Sequence, residues 1–463
     1  MSIDNLRHAQ YGSDGIQIDD PQNLTRMTDG QIQAWMSGAG VRTPIAAAIA
    51  KWFGGTHGGG VTFNAVGNKS GGTFSFGYKH ALDAPFVAVR VVLVNRTGAA
   101  QSNWRITVGV TESALVSSND ETSQVKVGGS FYKVAVTAGS NLGHVPATFA
   151  GSATVNIGSG ASEVAYAISD RIPLTSVPRA DGSAYPLIIV RADYDATTVA
   201  AYAQTNGAAA AMNTVTAANR GKVMAFFGGT AMAATPSNSG INGNAAHSCW
   251  EMFVLPEYST PTLSLMQFDD STGQGDALVA TDGVFCNWGW RAAADASTSS
   301  RVFSYANMGM SSHTSATYWA RAKAMFAAGI IPDCLLIGPA SVNDNFAINP
   351  DSVVALAKAR AVEILAVCRQ YGIRNVAFRG VMPSNILSAG NDAYRTAWNA
   401  WLNTFCVSFG IGYIDIAGLG NGASPEQWIP AYNYTLDGLH PNTQAMEDFL
   451  VPRTAAWLRS VPF

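Results

Sequence analysis

The segment FDDSTGQG, residues 268–275, places Ser271 just after the apolar stretch LSLMQF. A serine at the carboxyl end of a strand, followed by small residues and then a helix, has an exposed hydroxyl close to a helix N-terminus, which stabilises negative charge. Such a hydroxyl is suited to nucleophilic attack on a carbonyl carbon. On its own, a segment of this kind is more often an ordinary Ser/Thr/Gly loop, so the interpretation needs partner residues elsewhere in the chain.

A second segment, DGLHPN at residues 437–442, supplies the base that a serine nucleophile requires. Asp437 and His440 are three residues apart, so one turn can direct the carboxylate to Nδ1 of the imidazole and leave Nε2 to accept a proton from a hydroxyl. Pro441 is suited to the first position of the last helix. A single Asp-x-x-His is weak evidence and is compatible with a surface loop, but the pairing with Ser271 strengthens both.

Two further segments lie between these, each directly after an apolar stretch. NMGMSSHT contains Gly309, whose backbone N–H can approach a substrate with no side chain in the way. PASVNDNF contains Asn343, whose side-chain amide can donate a hydrogen bond. Both groups suit an oxyanion hole, and each alone is compatible with plain loop chemistry. His313 lies near the predicted site and could contact a substrate or cap a loop.

In this order, the segments DDSTGQG, NMGMSS, SVND and DGLHP resemble the four sequence blocks of the SGNH (GDSL-type) hydrolases, over residues from about Thr262 to Phe463. The resemblance implies a flavodoxin-like fold and hydrolysis of acyl esters through an acyl-enzyme, with no cofactor. It also implies the role of each residue. Ser271 is the nucleophile, His440 is the general base and acid, Asp437 orients His440, and the oxyanion is bound by Gly309, Asn343 and the N–H of Ser271.

Two positions depart from the usual form of these blocks. Asp269 stands where the first block has glycine, and Ser341 stands where the third block has glycine. Neither change removes a reacting group. Asp269 could narrow the pocket or contact a hydroxyl-rich substrate, but we expect its side chain to point to solvent.

Strands that alternate with helices are needed to position these residues. After Pro261 the apolar strands LSLMQF, VFSYA, CLLIG, VAFRGV and YIDI alternate with segments of helical pattern. This pattern predicts an α/β domain at residues 259–463, in which a parallel sheet is covered by helices on both faces as a three-layer structure. Ligands bind beyond the carboxyl ends of the strands in such sheets.

The preceding region has a different pattern. Between residues 61 and 258, alternating or β-branched stretches such as FVAVRVVLV and WRITVGV are separated by Gly/Ser/Asn/Thr loops, which predicts an all-β sandwich of jelly-roll type. An Ala-rich stretch at residues 197–219 indicates a helical insertion. Residues 1–60 are interpreted as an N-terminal arm and linker.

Charge and motif content exclude several classes of partner. Lys and Arg number 28 against 31 Asp and Glu, a net charge of -3, so no nucleic-acid surface is indicated. No stretch is long and apolar enough to span a membrane. No metal-ligand cluster, P-loop or dinucleotide motif occurs, so neither a metal nor a cofactor is expected. The five cysteines are interpreted mostly as buried thiols.

The substrate is the least determined part of the prediction. A β-sandwich before such a hydrolase domain resembles carbohydrate esterases, which favours removal of O-acetyl groups from a polysaccharide over hydrolysis of small or lipid esters. The alternative is a receptor-binding or structural component of a phage particle or cell surface, in which the hydrolase domain is auxiliary or inactive and the chain could form a homo-oligomer. The N-terminus lacks the pattern of a secretory signal, which leaves the location open between a virion and release outside a cell.

Overall fold

The computed structural model describes the second half of the chain almost continuously and the first half as separate segments. The described residues are 56–58, 65–70, 73–81, 84, 86–95, 100–110, 115–116, 124–127, 130–134, 145–158, 165–174, 187–195, 198–203, 223–228, 241–242, 252–259, 261–274, 288–309, 312–346, 348–423, 427–429 and 434–462.

Seventeen β-strands are described before residue 260. They are Thr56–Gly58 (β1), Ala65–Ser70 (β2), Thr73–Ala81 (β3), Phe86–Asn95 (β4), Gln101–Val110 (β5), Leu115–Val116 (β6), Gln124–Val127 (β7), Ser130–Val134 (β8), Val145–Pro146 (β9), Val155–Ile157 (β10), Ala165–Ile168 (β11), Ile172–Pro173 (β12), Leu187–Asp195 (β13), Thr198–Ala203 (β14), Val223–Gly228 (β15), Ile241–Asn242 (β16) and Met252–Tyr258 (β17).

These strands pair antiparallel in four groups. One sheet has the order β1-β17-β4-β11 with β12 beside β4, and another has the order β10-β5-β13-β3-β15-β16 with β9 beside β5. Two smaller groups are β14-β2 and β6-β8-β7. The described residues before position 260 contain strands and no helix, in agreement with the sequence, whereas the sandwich of jelly-roll type stays a prediction.

Strand β4 has buried side chains on both faces, because successive residues of a strand point to opposite sides of the sheet. Val91 and Leu93 pack in one apolar cluster with Trp104 of β5. Val92 and Val94 point the other way and belong to the main apolar cluster of the second half of the chain. The sheet that contains β4 is therefore packed on both sides.

Two interpretations of the first half change. Residues Thr56–Gly58, within the predicted arm and linker, form β1 and pair with β17. Residues Thr198–Ala203, within the predicted helical insertion, form β14 and pair with β2, because strand pairing outweighs the intrinsic helix propensity of alanine. The remainder of both predicted segments lies outside the described residues. The division of the chain into three regions stays a prediction.

The second half of the chain contains the predicted parallel sheet. Its strands are Thr262–Phe268 (β18), Val302–Asn307 (β19), Cys334–Ile337 (β20), Asn375–Arg379 (β21) and Gly412–Ile414 (β22). The order is β19-β18-β20-β21-β22, and every neighbouring pair is parallel. This is the 2-1-3-4-5 order of flavodoxin-like sheets.

Helices connect these strands and end the chain. They are Ser271–Gln274 (α1), Trp288–Ala296 (α2), Ser315–Ala327 (α3), Pro350–Gln370 (α4), Ala389–Phe409 (α5), Thr443–Ala445 (α6) and Val451–Ser460 (α7), with a 3-10 turn at Ala417–Leu419 and a π-helical segment at Met446–Leu450. Among the residues listed above, no helix combines the length and apolar character needed to cross a membrane.

The start of the final helical region differs from the prediction. The side chain of Asn442 accepts a hydrogen bond from the N–H of Ala445 at 3.0 Å, so Asn442 is the N-cap and α6 begins at Thr443. Pro441 precedes the cap and forms an isolated bridge with Thr435. It therefore closes the loop before the helix and does not occupy the first helical position.

Helices cover both faces of the parallel sheet, as predicted from the apolar strands. Phe268 and Ile337 point into one cluster, which α3, α4 and α5 complete. Leu265 and Leu336, on the same strands, point into the apolar cluster on the opposite face, which α2 and α7 complete. The free cysteines Cys334, Cys368 and Cys406 are buried, as interpreted, whereas Cys249 and Cys286 lie outside the described residues.

The strand order creates a crevice at the carboxyl edge of this sheet. From β18 the chain passes to β19 on one side and then to β20 on the other. The loops after β18 and β20 therefore diverge, and ligands bind in this position in open α/β sheets. Ser271, Gly309 and Asn343 all follow strands at this edge.

Candidate active site

Ser271 is the first residue of α1, three positions after the end of β18. The short turn between strand and helix raises the side chain above the sheet edge, and the residue is only 4% exposed. Its Oγ lies 2.8 Å from Nε2 of His440, which is 169 residues away in sequence. The predicted hydrogen-bond contact between these two residues is present.

Asp437 completes the chain of hydrogen bonds on the far side of the imidazole. Its Oδ2 lies 2.5 Å from Nδ1 of His440, and its Oδ1 accepts from the backbone N–H groups of Leu439 and His440 at 2.9 and 2.8 Å. Partial burial acts to raise the pKa of Asp437, but these hydrogen bonds from His440 and Leu439 outweigh it and lower the pKa to about 2. Asp437 is therefore a carboxylate at any pH near neutrality.

The loop that carries Asp437 and His440 has a fixed shape. Gly438 has φ +78°, a left-handed conformation that side chains rarely adopt, and an added Cβ would lie 2.5 Å from Nδ2 of Asn385. The carbonyl of Gly438 also accepts from the N–H of Asn385 at 2.9 Å, and Oγ1 of Thr435 accepts from the N–H of Gly438 at 2.9 Å. The loop after β21 thus fixes the backbone at Gly438, two residues before His440.

Asn343 lies in the loop after β20, on the side of the crevice across from β18. Its Nδ2 donates to the carbonyl of His313 at 3.1 Å, and its backbone N–H donates to Oγ of Ser341 at 3.1 Å. Asp344 braces the same loop by accepting from the N–H groups of Ser341 and Ser315, at 2.9 and 2.8 Å. His313 takes part through its backbone carbonyl, and its predicted substrate contact stays a prediction.

Gly309 is buried at the carboxyl end of β19, but its N–H is not simply presented to the crevice. It donates to Oδ1 of Asn307 at 2.8 Å. An oxyanion could use this donor only by sharing it with Asn307 or by displacing that side chain. The oxyanion roles predicted for Gly309 and Asn343 therefore stay predictions.

The expectation for Asp269 is wrong. Its side chain does not point to solvent, because the residue is 1% exposed and forms a buried ion pair with Arg379 at the end of β21. Nε of Arg379 donates to Oδ2 of Asp269 at 2.8 Å, and Nη2 donates to Oδ1. Gln267 and the N–H of Asp270 donate to the same carboxylate at 3.2 and 2.8 Å. Protein donors occupy both carboxylate oxygens, and a contact of Asp269 with substrate stays a prediction.

Asp270 is the second buried carboxylate before the nucleophile. Its Oδ1 accepts from N–H and Oγ1 of Thr272 at 2.8 and 2.6 Å, and its Oδ2 accepts from Oγ of Ser341 at 2.5 Å and from Nη2 of Arg379 at 3.2 Å. Burial acts to raise the pKa of Asp270, but the charge of Arg379 and the hydrogen bonds of Ser341 and Thr272 outweigh it and lower the pKa. Burial raises the pKa of Asp269, which shares the same guanidinium.

Arg379 is the residue that reasoning from the sequence missed. It lies in VAFRGV, whose apolar pattern predicts a strand but no site residue. A signal was nevertheless present, because an arginine at the end of an otherwise apolar strand in a covered sheet requires a buried partner. Asp269 and Asp270, which precede the nucleophile, are those partners.

A small cavity lies next to the turn of Ser271 and the loop of His440. It has a volume of about 10 Å³, enough for roughly one water molecule, and its lining includes Thr272, Val342, Pro383 and Leu439. Thr272 and Leu439 are the chain neighbours of Ser271 and His440. Within the described residues, no group of three or more His, Cys, Asp and Glu side chains is arranged to hold a metal ion.

Solved structures provide the comparison with known proteins. Over part of its length the chain is similar to GDSL-type acylhydrolases. A lipase/acylhydrolase from Enterococcus faecalis matches at 14% identity over 42% of this chain and 95% of that chain, with a TM-score of 0.30. A protein of the G-D-S-L lipolytic family from Desulfitobacterium hafniense matches at 12% identity over 42% of this chain and 99% of that chain, with a TM-score of 0.32.

A lipase from a goat rumen metagenome matches at 14% identity over 42% of this chain and 97% of that chain, with a TM-score of 0.32. No protein-family model matches the sequence, and no curated protein matches it significantly. The function proposed below therefore depends on the contacts within the site.

The arrangement predicts an unusually reactive serine. An organophosphorus reagent such as a fluorophosphonate should modify Ser271 of the full-length protein, because His440 can accept the proton that the attacking hydroxyl loses. Peptide mass spectrometry after a short incubation would locate the adduct. The His440→Ala variant should lose the modification, whereas Ser408→Ala, which removes an exposed hydroxyl on α5 that donates to the carbonyl of Thr404, should keep it. Equal labelling of the wild-type protein and His440→Ala would contradict this reactivity.

Proposed function

We propose that the protein is a carboxylic ester hydrolase with Ser271 as nucleophile. The observation that carries the proposal is the continuous chain of contacts from Ser271 Oγ to His440 Nε2 at 2.8 Å and from His440 Nδ1 to Asp437 Oδ2 at 2.5 Å. Such a chain converts a weakly nucleophilic hydroxyl into one that attacks carbonyl carbon, because the imidazole removes its proton as the new bond forms.

The reaction proceeds in two steps. His440 accepts the proton of Ser271 as Oγ attacks the ester carbonyl, and then donates it to the leaving alcohol as the carbon–oxygen bond of the ester breaks. Water next attacks the acyl-enzyme, with His440 again accepting the proton, and the acid is released. Asp437 remains ionised throughout and stabilises the positive charge on the imidazole.

The tetrahedral intermediate requires hydrogen-bond donors for its negative oxygen. We assign this role to the N–H of Ser271, the N–H of Gly309 and the side-chain amide of Asn343. The Asn343 amide has a second proton besides the one donated to His313, so it serves an oxyanion without breaking that contact. The Gly309 N–H serves it when Asn307 shares or releases the donor.

The catalytic assignment predicts the effect of two substitutions. Ser271→Ala and His440→Ala should each lower kcat on a chromogenic acetate ester by about a thousandfold or more, because each removes a group that acts in the chemical step. Initial rates on purified, folded full-length protein check this, with circular dichroism to compare the fold. Ser408→Ala is the matched serine control and should retain wild-type turnover. Near wild-type turnover in folded Ser271→Ala or His440→Ala would show that the assignment of nucleophile and base is wrong.

The low pKa of Asp437 determines which residue limits activity in acid. Between about pH 8 and about pH 4, Asp437 stays ionised, because its pKa is about 2. The stabilisation that its carboxylate provides is present across this range and is lost only as the pH falls toward 2. A decrease of kcat/KM with acid in this range should therefore come from protonation of His440, which can then no longer accept the proton of Ser271.

A pH–rate profile checks this, and the Asp437→Asn variant is its control. The weaker residual activity of that variant should still decrease with acid, because the variant keeps a histidine as its base. A flat wild-type profile down to about pH 4 would argue against a histidine base.

For the substrate, we propose short acyl esters, with O-acetyl groups on a polysaccharide as the natural class. We propose that the methyl of the acetyl group occupies the cavity of about 10 Å³ lined by Thr272 and Leu439, the chain neighbours of Ser271 and His440, because a space of this size accepts a methyl group and little more. Small esters and lipid esters are the competing classes that the next experiment separates.

Acyl-chain selectivity should follow the size of this cavity. Wild-type kcat/KM should be highest for acetate and lower by about tenfold or more for the butyrate and octanoate esters of the same chromogenic alcohol. Leu439→Ala widens the cavity and should reduce that preference. Leu436→Ala is the matched control, because Leu436 is exposed and does not line the cavity. Acetate released from acetylated glycans would be measured in parallel, and a wild-type preference for octanoate would overturn the short-acyl proposal.

A further inference from the structure

We propose that Arg379 is a positioning residue for the nucleophile turn and for the Asn343 loop, and that Asp269 and Ser341 are the two ends of the connection through which it acts. This inference rests on the proposed function, since it concerns residues assigned to the same site. It extends that function to positions at which the sequence departs from the usual SGNH blocks.

The first half of the connection runs from Arg379 to the nucleophile turn. Its guanidinium binds Asp269 through Nε and Nη2 and also contacts Asp270 at 3.2 Å. Asp270 accepts from both N–H and Oγ1 of Thr272, the residue after Ser271. One buried cation therefore holds the residues on both sides of the nucleophile.

The second half of the connection runs from Asp270 to the Asn343 loop. Oγ of Ser341 donates to Asp270 at 2.5 Å and accepts from the N–H of Asn343 at 3.1 Å. A glycine at position 341 would have no hydroxyl to make these two bonds. The replacement thus links the loop after β20 to the turn after β18.

Close packing shows that Asp269 is fitted to its position. A Cβ on Gly273 would lie 2.2 Å from Cβ of Asp269 and 2.4 Å from its Oδ2, so position 273 must be glycine when position 269 is aspartate. Gly338 at the end of β20 is constrained by its own loop instead, since an added Cβ would lie 2.9 Å from the carbonyl oxygen of Ala340.

The charges of this cluster explain why Asp269 and Arg379 belong together. Asp269, Asp270 and Arg379 are each about 1% exposed. An unpaired carboxylate in such surroundings is strongly disfavoured, and two carboxylates on adjacent residues repel each other. The guanidinium satisfies both, and its remaining Nη1 donates to the carbonyl of Gly380 at 2.8 Å. A neutral residue at position 379 would leave both loops without their common partner.

The test compares substitutions in the connection with a buried ion pair outside it. Arg379→Met removes the cation, Arg379→Lys restores a charge without the forked geometry, and Ser341→Ala cuts the link to Asn343 while leaving Arg379 in place. Arg395→Met is the comparison variant, because Arg395 forms an equally buried pair with Asp392 at 2.6 Å. Its other described bond goes to the carbonyl of Val381, at 3.0 Å, and not to Asp269 or Asp270.

Two readouts are measured on full-length protein, namely kcat and KM on the chromogenic acetate ester and amide hydrogen exchange of residues 269–274 and 341–346. We expect Arg379→Met to lower kcat about 10- to 100-fold with KM changed less than about threefold, because misplaced reacting groups mainly slow the chemical step. Arg379→Lys should recover part of this loss. Ser341→Ala should lower kcat by about tenfold. Exchange in both segments should be faster in Arg379→Met, and exchange at 341–346 should be faster in Ser341→Ala.

Several outcomes would overturn the inference. One is wild-type kcat in Ser341→Ala with unchanged exchange at 341–346, a result that remains available if Arg379→Met does not fold. Another is an Arg395→Met variant that loses as much kcat as a folded Arg379→Met, since the effect would then be general destabilisation. If the wild-type protein shows no hydrolysis that depends on Ser271, the proposed function fails, and the exchange measurements alone decide whether Arg379 positions the two loops.

Discussion

The buried guanidinium of Arg379 lies between two carboxylates at the carboxyl edge of the parallel sheet, and this interaction fixes the strand ends that carry the nucleophile turn. Arg379 ends β21, whereas Asp269 and Asp270 follow β18, and β20 lies between these strands. The interaction therefore spans three strands of the sheet. Removal of one partner from a buried ion pair typically costs about 3–5 kcal/mol, because a charge is left without compensation. Small shifts of these strands are resisted for the same reason. The position of Ser271 relative to the loop of Asn343 is therefore fixed.

The contacts among Ser271, His440 and Asp437 could be predicted from the sequence because their signals are local. Asp437 and His440 are three residues apart, and Ser271 stands in a short segment directly after a strand. Arg379 gave only the signal of an arginine at the end of an apolar strand, which does not identify its partners, because they are 110 and 109 residues away and the contact depends on the order of strands. The same limit explains the error at Asp269. A charged side chain near a site is most often solvated, and only the neighbouring strand reveals the cation that holds it inside.

For the fold as well, features that depend on local sequence pattern could be predicted, whereas features that depend on distant contacts could not. The five parallel strands were recognisable as apolar runs, and their side chains indeed alternate between two buried faces. The stretch around Thr198–Ala203 was misjudged because alanine favours helices in isolation, whereas pairing with β2 determines its conformation. Pro441 lies two residues before the first helical residue, Thr443, and not at that position as predicted, because Asn442 is the N-cap.

One face of β4 packs against the helices of the second half of the chain, so the two halves share an apolar core. Val92 and Val94 share an apolar core with α3, α4 and α5, and Phe253 and Leu255 of β17 belong to the same core. Only the residues 259–261 separate β17 from β18. The antiparallel strands and the parallel sheet therefore lose contacts together when either comes apart, which makes their unfolding cooperative. A fragment that begins at β18 would expose this apolar surface to water, so the catalytic half is better regarded as part of a larger cooperative unit than as a transferable module.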